Sequence, residues 1–438
     1  MFFHIYLCRG RSVDRAALSM VDARQMEPLR CHGLPERLLQ YRVAHKLSSA
    51  ALARRAGITP QALHLIEKGK VMPSMESLER LASATKLDPG WLGFGIPLSG
   101  VAPQITITPG FDETAMVEEL LMLLKGSSCV IDDVYKYIDP LGAYEWRSML
   151  RQPDVAHLVA DVPLAEVVQL LGPLLTDPCD VIAVGCGTAE REIQLIRKLL
   201  GRSRRDFRLI LLDISVSLLG VAVQEADQFS RHHSVPVMAL LGDFHRLPDY
   251  VHLLTPDHPR RRILSMFGYT FANLDNEVQF LRRSLSWVNG GDYLILDLPA
   301  SATDSTDPAE IKRRDPGLAH KRGNEWRNTA FHFLMGPVRR YVDGVLDWKV
   351  TTELDQSSCL IPGSYAVVHK AVVTLRSGER KQFVVGYSKR YQLDKLEKHM
   401  ETEGWRLVEG LRYGPDSKFL LAVFQRTDTK SKARRRAR

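Results

Sequence analysis

Two glycines and two carboxylates form the strongest chemical signal in this chain. In Asp180-Val-Ile-Ala-Val-Gly185-Cys-Gly187-Thr-Ala189 an apolar run ends in a two-glycine turn. A second apolar run, Leu209-Ile-Leu-Leu-Asp213, ends in a carboxylate, and a third closes on Leu241-Gly-Asp243-Phe244. Glycines at such a turn let the backbone approach a ligand closely, and a carboxylate closing the next strand accepts from both hydroxyls of a ribose. The pattern reads as a nucleoside pocket, with Gly185 and Gly187 beneath the ligand and Asp213 on the ribose. Asp243 would sit near an adenine amine and Phe244 against the ring. Each residue also has an ordinary alternative: a strand-to-helix turn, a cap before Ser215, a plain loop. Their placement at the carboxyl ends of successive predicted strands favours one shared ligand.

The identity of that ligand follows from a departure. A dinucleotide site usually carries another glycine three residues after Gly187, but Glu190 stands there, and its charge would repel a pyrophosphate at a helix start. A sulfonium cofactor has no phosphate to repel. S-adenosylmethionine is therefore the expected cofactor, and the strand, turn and carboxylate series resembles a class I methyltransferase.

These residues need a scaffold that alternates strands and helices, and residues 180 to about 300 supply that alternation, as expected of a doubly wound parallel sheet. The predicted fold class is multidomain: an all-α helix-turn-helix module, then an α/β Rossmann-like class I methyltransferase with an inserted α+β lobe. The expected boundaries are an unassigned extension over 1–33, a helical module over 34–96, a Pro/Gly-rich linker over 97–110 and the sheet core over 111–300. The lobe follows over 301–389, with a hairpin in which 367–375 and 381–388 flank Arg376-Ser-Gly-Glu-Arg380. A helix and two strands over 390–425 close the core, and 426–438 is a basic tail.

Composition narrows the class further. At 438 residues the chain holds several domains, and its 45% hydrophobic and 25% charged fractions suit a globular protein. Of the net charge of +8, six basic residues fall within Lys430–Arg438, so the folded body is nearly balanced. Such a tail holds nucleic acid or is simply solvated. The cysteines at 8, 31, 129, 179, 186 and 359 show no paired metal spacing, so no metal is proposed and a reduced, cytoplasmic setting is expected. The apolar start, Met1-Phe-Phe-His-Ile-Tyr-Leu-Cys-Arg, is too short to span a membrane and has no basic region before it.

The segment from Ser48 to Lys70, Ser-Ser-Ala-Ala-Leu-Ala-Arg-Arg-Ala-Gly57-Ile-Thr-Pro-Gln-Ala-Leu-His-Leu-Ile-Glu67-Lys-Gly-Lys, resembles the helix-turn-helix of the Cro/repressor-like family. Gly57 takes the turn, Leu52, Ala53, Ile58, Leu63 and Ile66 the core, and Thr59 the cap of the recognition helix. DNA is the partner implied for 34–96, with Gln61 and His64 toward bases and Arg54, Arg55 and Lys68 toward phosphates. Repressor-like modules often pair, so a homodimer is a further expectation. The alternative is a module for protein packing or dimerisation.

Downstream, Gly242-Asp-Phe, Ile263-Leu-Ser-Met-Phe-Gly-Tyr-Thr-Phe-Ala-Asn273-Leu-Asp and Gly291-Asp-Tyr-Leu-Ile-Leu-Asp297 resemble the histidine Nα-methyltransferase family of ergothioneine biosynthesis. So does Tyr135-Lys-Tyr137-Ile-Asp139-Pro-Leu-Gly142-Ala upstream. The resemblance implies that Asn273 and Tyr137 are catalytic and hold an amino-acid-like substrate, with Ser388 also touching it. One departure bears on that substrate: the family's Glu-x-Ser-x-Lys falls on Gly386-Tyr-Ser388-Lys-Arg390, so the glutamate that grips an imidazole is missing. An imidazole without its acceptor loses about 1 kcal/mol or more. The predicted function is therefore S-adenosylmethionine-dependent N-methylation of an amino-acid-like or small amine by a protein with a DNA-binding module. The rival is a transcription regulator whose degenerate methyltransferase-like domain senses S-adenosylmethionine or a metabolite. DNA methylation is set aside, because Gly268-Tyr-Thr-Phe271 is not an Asp/Asn-Pro-Pro-aromatic motif.

Overall fold

In a computed structural model the chain divides into two compact units, residues 1–102 and 103–438. The structure describes residues 34–71, 73–85, 92, 105–151, 162–175, 178–201, 206–254, 260–315, 318 and 325–427. The expectations for 1–33, for the first part of the linker and for the tail beyond 427 lie outside the described residues.

The first unit holds helices α1 (Leu34–Ala44), α2 (Ser49–Ala56), α3 (Pro60–Glu67) and α4 (Met75–Thr85). Their ends are written locally. The Ser48 hydroxyl accepts from the Ala51 amide at 3.1 Å to start α2, and Gly57, at φ +63°, ends it in the left-handed region. Thr59 accepts from Ala62 N at 3.1 Å, and Pro60 follows as the first residue of α3, where a missing amide costs nothing. Leu38, Leu52, Ala53, Leu63, Ile66 and Leu81 form the core, with Ile58 packed against it. Arg42 Nε donates to Glu67 at 2.8 Å, which ties α1 to the end of α3.

The second unit contains strands β1 (Ile105–Ile107), β2 (Ser128–Val130), β3 (Cys179–Val184), β4 (Phe207–Asp213), β5 (Val237–Leu241), β6 (Arg261–Met266), β7 (Tyr293–Pro299), β8 (Val345–Asp355), β9 (Tyr365–Leu375), β10 (Arg380–Arg390), β11 (Trp405–Tyr413) and β12 (Phe419–Arg426). The main sheet runs β1-β5-β4-β3-β6-β7-β12-β11. Strands β3 to β7 are mutually parallel, and β12 enters antiparallel to both β7 and β11. Both faces are covered, which is why β3 reads as an apolar run over Val181–Val184. Val181, Leu209 and Ile263 enter one core, and Ile182, Ile210 and Leu264 the other.

Two stretches differ from the sequence reading. Ile105–Ile107, inside the expected linker 97–110, is a strand pairing with Ala239–Leu241 on β5. Its proline- and glycine-flanked shortness hid it, since edge strands are often brief. The lobe sheet runs β2-β10-β9-β8, so it extends to Arg390 and takes one edge strand from Ser128–Val130, far upstream of 301. A three-residue parallel pairing to Gln382–Val384 leaves no local signal.

Candidate active site

The central sheet places its candidate residues where β3, β4 and β5 end. Gly185 and Gly187, at φ +69° and +54°, sit in a backbone region that side chains rarely adopt. Close approach is a second reason for glycine there. A Cβ on Gly185 would lie 3.1 Å from Thr270 Cγ2 and 3.7 Å from Phe244 Cε1, and one on Gly187 would lie 3.0 Å from the Trp146 ring. Ala189 is also left-handed, at φ +58°, and opens the helix Glu190–Leu200 without a side-chain cap.

Asp213 closes β4 and organises this turn. Its carboxylate accepts from Gly187 N at 2.8 Å and from Ser215 N at 2.9 Å, while its carbonyl accepts from Gly242 N at 3.0 Å. Thus one residue links the glycine turn to the end of β5. Burial pushes its carboxyl up to about 6 despite these amide donors. Each carboxylate oxygen keeps a second lone pair, so the residue still has acceptor capacity. Asp243 accepts from His245 N at 2.8 Å and caps the turn that follows, and Phe244 is half-buried edge-to-face with Phe280. All five expected cofactor residues therefore converge on the ends of adjacent strands. The Gly187 amide is already given to Asp213; the Asp213 carboxylate, the Phe244 ring and Glu190, exposed at the helix start, suit a nucleoside bearing a positive sulfonium better than a pyrophosphate.

The residues expected to hold a substrate come from distant segments. Asn273 ends a short turn, Thr270–Asn273, after β6. Its side chain lies close to the carboxylate of Asp133, which also pairs with the fully buried Lys136. A carboxylate accepts, so an Asn273 amide that donated to Asp133 would leave its carbonyl oxygen for another donor. Tyr137 packs at 5.3 Å from Phe333 and edge-on at 6.3 Å to Trp146. Burial, with Asp133 and Asp213 nearby, holds its hydroxyl well above the usual tyrosine range, so it remains a proton donor. The motif Asp139-Pro-Leu-Gly142 is a helix start: Asp139 Oδ1 accepts from Gly142 N at 2.8 Å, and a Cβ on Gly142 would strike the Lys136 carbonyl.

Ser388 has other company. Its hydroxyl accepts from Arg390 at 2.8 Å, and Arg390 reaches Asp315 at 3.5 Å. Its neighbour Lys389 faces the other way on the strand and donates to the carbonyls of Leu274 and Asp275 at 2.8 and 2.9 Å and to Glu277. The Asn273 loop is thus met by Lys389 rather than by Ser388. At Gly386, where the family this chain resembles carries glutamate, a Cβ would sit 2.9 Å from Leu334 Cδ2, the end of a side chain that would have to shift.

Sequence reasoning missed several residues. Asp133 and Lys136 precede Tyr137 as ordinary charges of a solvated turn, and only the fold buries them. Glu192 is buried beside Ser265, and burial pushes its carboxyl up to about 7. Asp297 accepts from Arg191 at 2.6 Å, from Tyr413 and from Gly268 N at 3.0 Å, which fixes the loop leading to Asn273. A charge set inside an apolar run, as Asp297 is in Tyr293–Pro299, is a signal that could have found one of them. Two cavities of about 270 and 570 Å³ open in the lobe, lined by residues of 301–314, 356–365 and Arg412; the glycine turn and Asn273 line neither.

In the first unit Arg54, Arg55, Gln61, His64 and Lys68 are all exposed, on α2, α3 and its C-cap. Arg80 donates to the Gly57 carbonyl at 3.2 Å and braces the turn from α4.

Comparison with known proteins agrees with this division. Residues 38–92 match a helix-turn-helix family model, and residues 164–306 match the model of the histidine-specific, SAM-dependent methyltransferases. Similar solved structures include an S-adenosylmethionine-dependent methyltransferase from Clostridium acetobutylicum, 11% identical over 65% of this chain and 98% of that one, with a TM-score of 0.36. Magnesium protoporphyrin IX methyltransferase from Synechocystis is 13% identical over 67% and 98%, with a TM-score of 0.37. The P22 c2 repressor is 27% identical over 15% of this chain and all of that one, with a TM-score of 0.15. Among the described residues no helix is long and apolar enough to cross a membrane. The chain therefore joins an N-terminal helix-turn-helix module to a domain of the class I, S-adenosylmethionine-dependent methyltransferase fold.

Proposed function

We propose that the second unit transfers a methyl group from S-adenosylmethionine to the nitrogen of an amino-acid-like or small amine, and that the first unit binds DNA. The observation that carries the enzymatic reading is the glycine turn tied to Asp213 at the strand ends, with Asp213 close enough to act on Tyr137 and with Asn273 close to Asp133. When bound, the cofactor supplies an electrophilic methyl carbon. Gly185 and Gly187 would let backbone lie against it, Asp213 would accept from its ribose, Asp243 would lie near its adenine amine and Phe244 against the ring. The Asn273 carbonyl oxygen, left free where its amide donates to Asp133, would accept from the amine and aim its lone pair. Tyr137 would donate to an acceptor on the substrate. A neutral amine would attack the methyl in line, forming the C–N bond as the C–S bond breaks and S-adenosylhomocysteine leaves. The product ammonium would give its extra proton to water, and catalysis would come mainly from alignment. The absence at Gly386 of the glutamate that would grip an imidazole argues for a substrate other than histidine.

A methyl-transfer assay over free amino acids and small amines, with Asn273→Ala beside the unsubstituted protein, tests this. Turnover lost in Asn273→Ala with cofactor binding kept is expected. Absence of turnover on every amine despite cofactor binding would remove the enzymatic reading. For the first unit, Gln61 and His64 would face bases, and Arg54, Arg55 and Lys68 phosphates. Selection from a random DNA pool should enrich one motif; no enrichment would refute it.

A further inference from the structure

The Gly187 turn is covered by a residue that no part of the family pattern singled out. Trp146 projects from the helix Pro140–Leu150, and its ring carbons Cη2, Cζ2 and Cζ3 lie 3.0, 3.7 and 3.7 Å from where a Gly187 Cβ would be. The helix that carries it is clamped from the lobe side. Arg339 reaches Glu145 at 3.1 Å, and Arg340 reaches Asp139 at 2.8 Å and Glu145 at 3.1 Å. Room for the Arg340 guanidinium is made by Gly336, whose Cβ would approach it within 2.6 Å, and by Gly142, at 3.4 Å. A half-buried indole so held touches the one turn where the backbone is bare, and Tyr137 packs edge-on beside it.

We propose that Trp146 is a cofactor-binding residue: its indole covers the methionine arm of S-adenosylmethionine at Gly187 and excludes water there, and the arginine clamp sets its position. This rests on the cofactor occupying the glycine turn as proposed above. An apolar ring lying over a ligand removes ligand surface from water without a charge of its own. The same cover should therefore serve S-adenosylmethionine and S-adenosylhomocysteine alike.

The experiment titrates full-length protein with S-adenosylmethionine and, separately, S-adenosylhomocysteine, by calorimetry and by tryptophan emission. The proteins are unsubstituted, Trp146→Phe, Trp146→Ala and Asp213→Ala. Trp146→Ala is expected to weaken both ligands by about 10-fold or more, from the loss of most of one buried side chain's contacts. Trp146→Phe should stay within about 3-fold, since a smaller ring still covers the turn. The ligand-induced change in emission should disappear in Trp146→Phe although binding persists, a signature that a merely structural role would not give. Thermal unfolding of each variant shows that the fold is kept. Unchanged affinity in Trp146→Ala, with binding lost in Asp213→Ala, would overturn the proposal and leave the pocket standing. If the unsubstituted protein binds neither ligand, the pocket and its cover fall together.

Discussion

The proposed cofactor side and the proposed substrate side of the site are made in different ways. The first is backbone: Gly185, Gly187 and the amides of Gly187 and Ser215, gathered by one carboxylate at the ends of consecutive strands. The second is side chain: Asp133, Lys136 and Tyr137 from before the sheet, Asn273 from after β6 and Phe333 from the lobe. A backbone-built pocket tolerates exchange of most side chains around it, so it keeps the pattern of its family. A side-chain pocket changes ligand with one exchange, which is why Gly386, where the family this chain resembles has glutamate, bears on the proposed substrate. The lesson is that cofactor class and substrate identity are recorded in separable parts of this fold.

Asp213→Ala should give the largest effect. It removes the ribose acceptor and strands two amides, so S-adenosylmethionine affinity should fall by about 100-fold in calorimetry. Asn273→Ala should leave the same titration within about 2-fold. Equal losses in both would mean that the two sides are one unit.

Gly386→Glu addresses the substrate side. The added side chain meets Leu334, and overpacking of this kind lowers stability by about 1–3 kcal/mol. Thermal unfolding checks that, and titration with histidine should still show no gain. A stable variant that binds histidine would show the position to be open.

The pH dependence should be smaller. Burial raises the Asp213 carboxyl from 3.8 to about 6, so the acid form is favoured in the folded protein. In the ligand-free chain its contribution to stability is full below about pH 4 and is lost as the pH rises through 6. Cofactor binding runs the other way, because the carboxylate is the acceptor. Affinity should be about 10-fold weaker at pH 5 than at pH 8, and Asp213→Asn should flatten the curve.

The smallest effect belongs to the first unit, where the proposed DNA contacts are exposed side chains. Arg54→Ala with Arg55→Ala should reduce the slope of log affinity against log salt by about 2, measured on a selected DNA site. An unchanged slope would place the phosphates elsewhere.

Much of this was legible along the chain. Gly57, Thr59 and Pro60 mark the helix-turn-helix because caps and turns are decided within a few residues. The glycine turn, Asp213 and Asp243 were legible for the same reason, each closing its own apolar run. Residues 105–107 were hidden because a three-residue edge strand has too little period to read. Asp133 was hidden because nothing beside it tells that Asn273, 140 positions later, meets it.

The sequence by itself determined the order of elements, the caps and the turn conformations, because these depend on neighbours within one or two turns of chain. Which charges are buried, which face Ser388 presents and what lies on Gly187 were decided only by tertiary structure. Burial and pairing depend on segments brought together by packing, and only their desolvation separates an Asp213 raised to about 6 from a carboxylate in water.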